Sequence, residues 1–265
     1  MVDLKKFLLI AGPCAIESAE ICNHVAGELA KIQRTHPEIS IIFKSSADKA
    51  NRSSLQSYRG LGMERGLEIL FSVRERFGLP ITTDFHTPDQ AKAVGGVVDI
   101  IQIPAFLCRQ TDMLQAAAKT GKIVSVKKGQ FLSPADMRHV VEKLRAFGAK
   151  KIIQMERGTS FGYGNLVVDM RGLQIMRENR CPVVYDLTHS LQLPGIGANE
   201  TRGAREFADT LARAAIGAGI DGLFIETHPN PDKALCDRET QLPLETIAER
   251  VDGYLKLHQT VKNLI

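Results

Sequence analysis

Tryptophan is absent from the 265 residues, and aromatic side chains make up only 6% of them, which leaves little material for base-stacking platforms. Lysine and arginine are scattered, with no basic run interleaved with aromatics, so nucleic acid is not an expected partner. The net charge of +4 favours small anions instead. Cysteine is sparse and unpatterned. The five thiols, Cys14, Cys22, Cys108, Cys181 and Cys236, form no C-x-x-C pair, and an odd number cannot all close into intramolecular disulfides. That argues against a complete set of structural disulfides, and a reduced, cytoplasmic setting is expected. Long apolar runs are also missing. The run after Lys5-Lys6 imitates a secretory signal, but its core of about six residues is short of the roughly 7–15 required. No stretch is long enough to span a membrane, so no membrane partner is expected.

What the chain does contain is an alternation. Short apolar, β-branched runs predict strands at 7–12, 40–45, 80–85, 100–104, 123–128, 151–157, 182–188 and 222–227. Between them lie amphipathic stretches such as "AEICNHVAGELAKIQ", "GLEILFSVRERFG", "TDMLQAAAKTG", "PADMRHVVEKLRAFG" and "REFADTLARAAIGAG", several ending in the Gly expected at a helix C-terminus. No linker or low-complexity segment divides the chain. A single (β/α)8 barrel over residues 1–265 is predicted, with a doubly wound open sheet as the alternative.

A closed barrel places its active site at the C-terminal ends of the strands. Each predicted strand runs into a polar or reactive residue there: Cys14, Lys44, Asp84 with His86, Gln102, Lys127 with Lys128, Arg157, His189 and Glu226. Strands emerging into water would account for many of these singly, but they would give a random mixture of types. The set divides instead into a thiol–imidazole–acid group and a group of cations.

Barrel closure makes the eighth strand a neighbour of the first, so Cys14, His189 and Glu226 fall on adjacent strands. Asp237, in the loop "NPDKALCDRETQLP", can fold back over them. One thiolate, one imidazole and two carboxylates suit a borderline divalent metal, Zn, Fe or Mn. A buried inert Cys14 beside a core His189, or a Cys14 nucleophile activated by His189, are the alternatives. Lys44, Lys127 and Arg157 on one wall read as holders of phosphate or carboxylate, with a Schiff-base lysine as the rival use. Lys49, Asn51, Arg52, Ser53 and Ser54 could cradle a second phosphate, though an N-R-S-S stretch is also an ordinary helix entry.

The segments "IAGPCAIES", "FKSSADKANRSS", "TTDFH", "IIQIPAFLCRQTD", "VKKGQF", "ERGTSFGYGNLVVDMR", "YDLTHSLQLPG" and "ETHPNPDKALCDRETQLPL" resemble the 3-deoxy-D-manno-octulosonate 8-phosphate synthases over residues 7 to about 245. "KANRSS" is the discriminating piece, because the related heptulosonate phosphate synthases carry a "KPRTS"-like sequence there. The resemblance implies condensation of phosphoenolpyruvate with D-arabinose 5-phosphate, with release of phosphate, on the route to bacterial lipopolysaccharide. It implies metal ligands Cys14, His189, Glu226 and Asp237, and Cys14 where the metal-independent branch has Asn. Phosphoenolpyruvate would meet Lys44, Lys49, Gln102, Ala105, Lys127 and Arg157, with Asp84 and His86 close by, either to move protons or as structural residues. The sugar phosphate would meet Asn51, Arg52 and Ser53, together with Arg109 of a neighbouring subunit in a homotetramer. Three departures stand out: Gly164 for a usual Asn, "NETRGAREF" for a usual Ser-Gly-Gly before Arg205, and Cys236 for a usual Ser.

Overall fold

The computed structural model describes residues 2–52, 54–161, 164–194 and 202–264. Strands β1 (Phe7–Gly12), β2 (Ile39–Lys44), β3 (Ile81–Asp84), β4 (Ile100–Ile103), β5 (Ile123–Lys127), β6 (Ile152–Glu156), β7 (Val183–Asp186) and β8 (Gly222–His228) pair in sequence order. All pairings between them are parallel, and β8 returns to β1 with Gly12 opposite Glu226. The closure rules out the open sheet. The strands match the predicted runs to within about two residues, the usual latitude of element ends.

Helices α1 (Ala19–Thr35), α2 (Met63–Phe77), α3 (Gln90–Val97), α4 (Thr111–Lys119), α5 (Met137–Ala146), α6 (Met170–Arg177), α7 (Ala208–Gly217) and α8 (Ile247–Lys262) lie between and after them. Ser18 caps α1 by accepting from the Ile21 amide, and Gly78 ends α2 in the left-handed conformation. Short antiparallel pairs, Thr159–Ser160 with Leu166–Val167 and Gln192–Leu193 with Arg202–Gly203, decorate the loops after β6 and β7.

Side chains alternate along each strand, which splits the apolar residues into two bodies. Phe7, Leu9, Ala11, Ile41 and Phe43 face the helices. Leu8, Ile10, Ile42, Ile100, Ile153, Met155, Val184 and Phe224 fill the barrel interior, with Val2 packed against them. Continuing the same period by one step past this interior layer reaches Lys44, Gln102, Arg157, Asp186 and Glu226. The polar mouth is therefore the top layer of the barrel interior, fixed by the register that builds the core.

Gly12 is required by close approach: a Cβ there would stand 2.0 Å from the Lys44 carbonyl oxygen. That contact brings the β1 and β2 exits together, and an isolated bridge between Ala15 and Ser46 extends their pairing beyond the strands.

Candidate active site and metal centre

The mouth holds a cleft of about 740 Å³ lined by residues of nearly every strand exit, among them Lys44, Lys49, Asp84, Gln102, Lys127, Arg157, His189 and Asp237. Its charges are interleaved, where the sequence pattern set acids and cations on opposite sides. Lys44 Nζ lies 2.8 Å from Glu226 Oε1 and also donates to the Cys14 carbonyl at 3.1 Å. Lys127 Nζ lies 2.5 Å from Asp186 Oδ2. Lys128 turns the other way, onto Glu156 at 3.4 Å and the Gly129 and Leu132 carbonyls, so it belongs to the wall outside the mouth.

These contacts decide the protonation states. Burial alone would raise Glu226, but the charges of His189, Lys44, Lys49 and Lys127 outweigh it and hold the carboxyl well below the usual carboxylate range. Burial is likewise outweighed at Asp186 by His189 and Lys127, and at Asp84 by the His86 hydrogen bond and the lysine charges. Burial depresses Lys127 and Arg157, and the neighbouring carboxylates only partly restore them. The site therefore keeps ionised acids and buried cations together in one low-dielectric space.

Cys14, Glu226 and Asp237 each present one ligand atom within 4.8 Å of the others. Cys14 Sγ donates to Asp237 Oδ2 at 3.1 Å. Burial pushes the Cys14 thiol well up, reinforced by its hydrogen bond with Cys236 and by the nearby carboxylates, so a cation must displace that proton to use the sulfur. Glu226 Oε2 is buried without a hydrogen-bond partner among the described residues. A thiol and two carboxylates, one of them with an orphaned buried oxygen, fit a divalent metal, and the donor set is of the borderline kind.

His189 stands beside this trio and is not one of its mutually close members. Its Nδ1 is 2.9 Å from Asp186, and its Nε2 is turned toward Glu226 Oε1 at 3.5 Å. A carboxylate on one ring nitrogen that leaves the other facing the ligand group is the arrangement that orients a metal-binding imidazole.

Among the remaining predicted residues, Arg157 Nη2 donates to Gln192 Oε1 at 2.6 Å, whereas its Nη1 is buried without a partner. Gln102 Oε1 and Asp84 Oδ1 are similarly unpaired and buried. His86 Nε2 lies 3.3 Å from Asp84 Oδ2, and Lys49 Nζ 3.8 Å from Glu226. Asn51, Arg52 and Ala105 line the same cleft. Ser53 lies outside the described residues, as do Asn199, Glu200 and Thr201 of the departing loop. Arg109 is exposed and does not line the cleft of its own chain.

The DAHP synthetase I family profile matches residues 3–261. The chain belongs to the DAHP synthetase I family. Within reach of it are curated proteins named 2-dehydro-3-deoxyphosphooctonate aldolase. One from Desulfotalea psychrophila is 52% identical over 255 residues, covering 96% of this chain and 91% of the relative. One from Alkalilimnicola ehrlichii is 52% identical over 258 residues, covering 97% and 93%. One from Francisella tularensis subsp. holarctica is 49% identical over 259 residues, covering 98% and 94%.

Three polar residues of this family member's mouth escaped the sequence reading. Asp186 ends β7 just as Asp84 ends β3, so the strand-end rule itself could have found it. Gln192 joins Arg157 to Asp237, donating to Asp237 Oδ1 at 3.3 Å. Gln241 accepts from the Cys14 amide at 3.1 Å and donates to the Cys236 carbonyl at 2.9 Å, clamping together the two loops that carry the thiol and Asp237. Both glutamines lie in loops, and no local pattern marks an amide that bridges distant segments.

Proposed function

We propose that residues 1–265 form one catalytic barrel that condenses phosphoenolpyruvate with D-arabinose 5-phosphate and water. The products are 3-deoxy-D-manno-octulosonate 8-phosphate and inorganic phosphate, on the route to lipopolysaccharide. One observation carries the reading: the borderline ligand trio Cys14, Glu226 and Asp237 reaches, through Asp237, the cleft that Lys44, Lys127 and Arg157 line. The relatives' shared name, at about half identity over nearly the whole chain, supports it.

In this reading Cys14, His189, Glu226 and Asp237 hold Zn, Fe or Mn, which when bound supplies a Lewis-acidic charge beside the reacting carbonyl. Lys44, Lys49, Gln102, Lys127 and Arg157 hold the phosphate and carboxylate of phosphoenolpyruvate against the wall at Ala105. The free Arg157 Nη1 offers such an anion a donor already stripped of water. Asn51, Arg52 and Ser53 hold the sugar phosphate, with Arg109 of a neighbouring subunit in a cytoplasmic homotetramer. Pinning both substrates by their phosphates aligns C3 of the enol with the sugar aldehyde, and orientation of this kind contributes several kcal/mol. C3 then bonds to the aldehyde carbon, water adds at C2, and the C2–O bond to phosphate breaks. The buried cations stabilise the negative charge that develops on the aldehyde oxygen and on the departing phosphate. Asp84 and His86, paired at the edge of the same layer, carry protons to and from the aldehyde oxygen and the attacking water.

The family's own description, DAHP synthetase, keeps erythrose 4-phosphate as a second acceptor to be tested. Phosphate release from phosphoenolpyruvate is measured with each aldose, with and without a chelator. Turnover with arabinose 5-phosphate that is lost on chelation and restored by added divalent metal is expected. Preference for erythrose 4-phosphate would overturn the substrate assignment, and full activity in the chelated enzyme would overturn the metal's role.

A further inference from the structure

One side chain joins the anion-holding wall to the ligand cluster. Gln192 Oε1 accepts from Arg157 Nη2 at 2.6 Å, and Gln192 Nε2 donates to Asp237 Oδ1 at 3.3 Å. The other oxygen of Asp237 takes the Cys14 thiol at 3.1 Å. The hydrogen-bonded path from guanidinium to thiol is thus continuous through Gln192 and Asp237. An amide has one acceptor end and one donor end, and here each end faces the charge that it suits.

The mooring of Gln192 is equally specific. Its backbone pairs with Gly203 in the short antiparallel pair after β7. The Gly203 amide donates to Glu239 at 2.9 Å, and Arg202 forms an ion pair with the same carboxylate at 3.2 Å. Glu239 belongs to the loop that carries Asp237, so backbone and side chain tie Gln192 to one ligand loop. Arg157 meanwhile keeps Nη1 free in its buried setting, so an anion can be held there without displacing Gln192 from Nη2.

We propose that Gln192 is a positioning residue that couples the two halves of the site. An anion that fixes the Arg157 guanidinium also fixes Gln192, which holds Asp237 in the orientation that offers Oδ2 to a metal. By linkage, a metal on Asp237 favours the anion equally. The inference rests on the functional reading above, because it takes Arg157 as an anion holder and Asp237 as a ligand.

The test compares the full-length protein with Gln192→Leu, which removes both bonds, and Gln192→Glu, which keeps an acceptor for Arg157 but sets a carboxylate against Asp237. Free Mn²⁺ is titrated by electron paramagnetic resonance with and without saturating phosphoenolpyruvate, and the ligand's affinity is measured with and without Mn²⁺. In the unaltered protein each ligand tightens the other by the same factor, at least about 5-fold, the lower end of ordinary coupling. In both variants that factor falls to near one. A merely structural Gln192 would weaken both affinities and leave their ratio intact. Retention of the full factor in Gln192→Leu overturns the inference alone. Absence of Mn²⁺ or phosphoenolpyruvate binding in the unaltered protein overturns the functional reading, and the inference with it.

Discussion

Lys127 and Asp186 stand 59 residues apart in the chain, and their charged groups meet at 2.5 Å in the barrel mouth. The same carboxylate holds His189 Nδ1 at 2.9 Å, so a single buried acid orients both a lysine of the mouth and an imidazole beside the Cys14–Glu226–Asp237 trio. Lys127 also lies over the Phe224 ring, 3.7 Å from its centroid, which places this ion pair directly on the top of the apolar interior.

Asp186→Asn should therefore disturb two functional groups and leave Lys127 buried without its counter-charge. Removal of one partner from a buried pair costs about 3–5 kcal/mol. The sign with pH follows from the lowered carboxyl. Its stabilisation is complete above the unfolded value of about 3.9 and is lost as pH falls through the lower folded value. Urea unfolding of both proteins from neutral pH down to pH 3 should show the gap widest near neutrality and narrowing in acid. A gap independent of pH would sink this account.

Cys14→Ser should retain the barrel and lose the metal. Altering an outer partner of a ligand costs about 10–100-fold in affinity, and replacing the thiolate itself should cost at least as much. Metal content after dialysis against a buffered divalent ion, alongside the melting temperature of the metal-free protein, separates the two effects. Equal metal retention in the variant would remove Cys14 from the ligand set.

Arg157→Lys keeps the charge but removes the fork whose two ends serve Gln192 and the incoming anion. Weaker phosphoenolpyruvate binding is expected, on the order of 1.5–3 kcal/mol for a lost charge-assisted bond, or roughly 10–150-fold. Calorimetric titration reads this directly. An unchanged affinity would mean that the guanidinium does not hold the ligand.

Gly12→Ala tests the frame of the site, because the added carbon would meet the Lys44 carbonyl oxygen at 2.0 Å. The β1 and β2 exits must separate, carrying Cys14 and Lys44 with them. Overpacking of this kind costs about 1–3 kcal/mol or more, and metal and anion affinities should fall together. Denaturant midpoints and the two titrations check it, and a variant as stable as the original would refute the close approach.

The strand runs were legible because alternation, apolar clustering and glycine stops are local properties of the chain. The mouth residues Lys44, Gln102, Arg157 and Glu226 were legible for the same reason, since each follows the interior apolar position by one period. Helices α3, α6 and α8 were less so. α3 carries two glycines in eight residues, and α6 is only eight residues long, so each offers barely two turns over which a pattern can repeat. The two bridging glutamines lay beyond sequence reading altogether, because an amide acquires meaning only from the groups at its two ends.

By itself, then, the sequence determined the barrel, the end of it at which polar and reactive side chains gather, and the residue types available there. Tertiary structure decided the pairings: Lys44 with Glu226 across 182 residues, Lys127 with Asp186 across 59, and Gln192 with Asp237 across 45. It also interleaved the acids and cations that the strand order alone had set on opposite walls. The physical reason is reach. Periodicity fixes the layer at which a side chain leaves the strand, whereas a long lysine or arginine settles wherever the closed ring presents an opposite charge out of water.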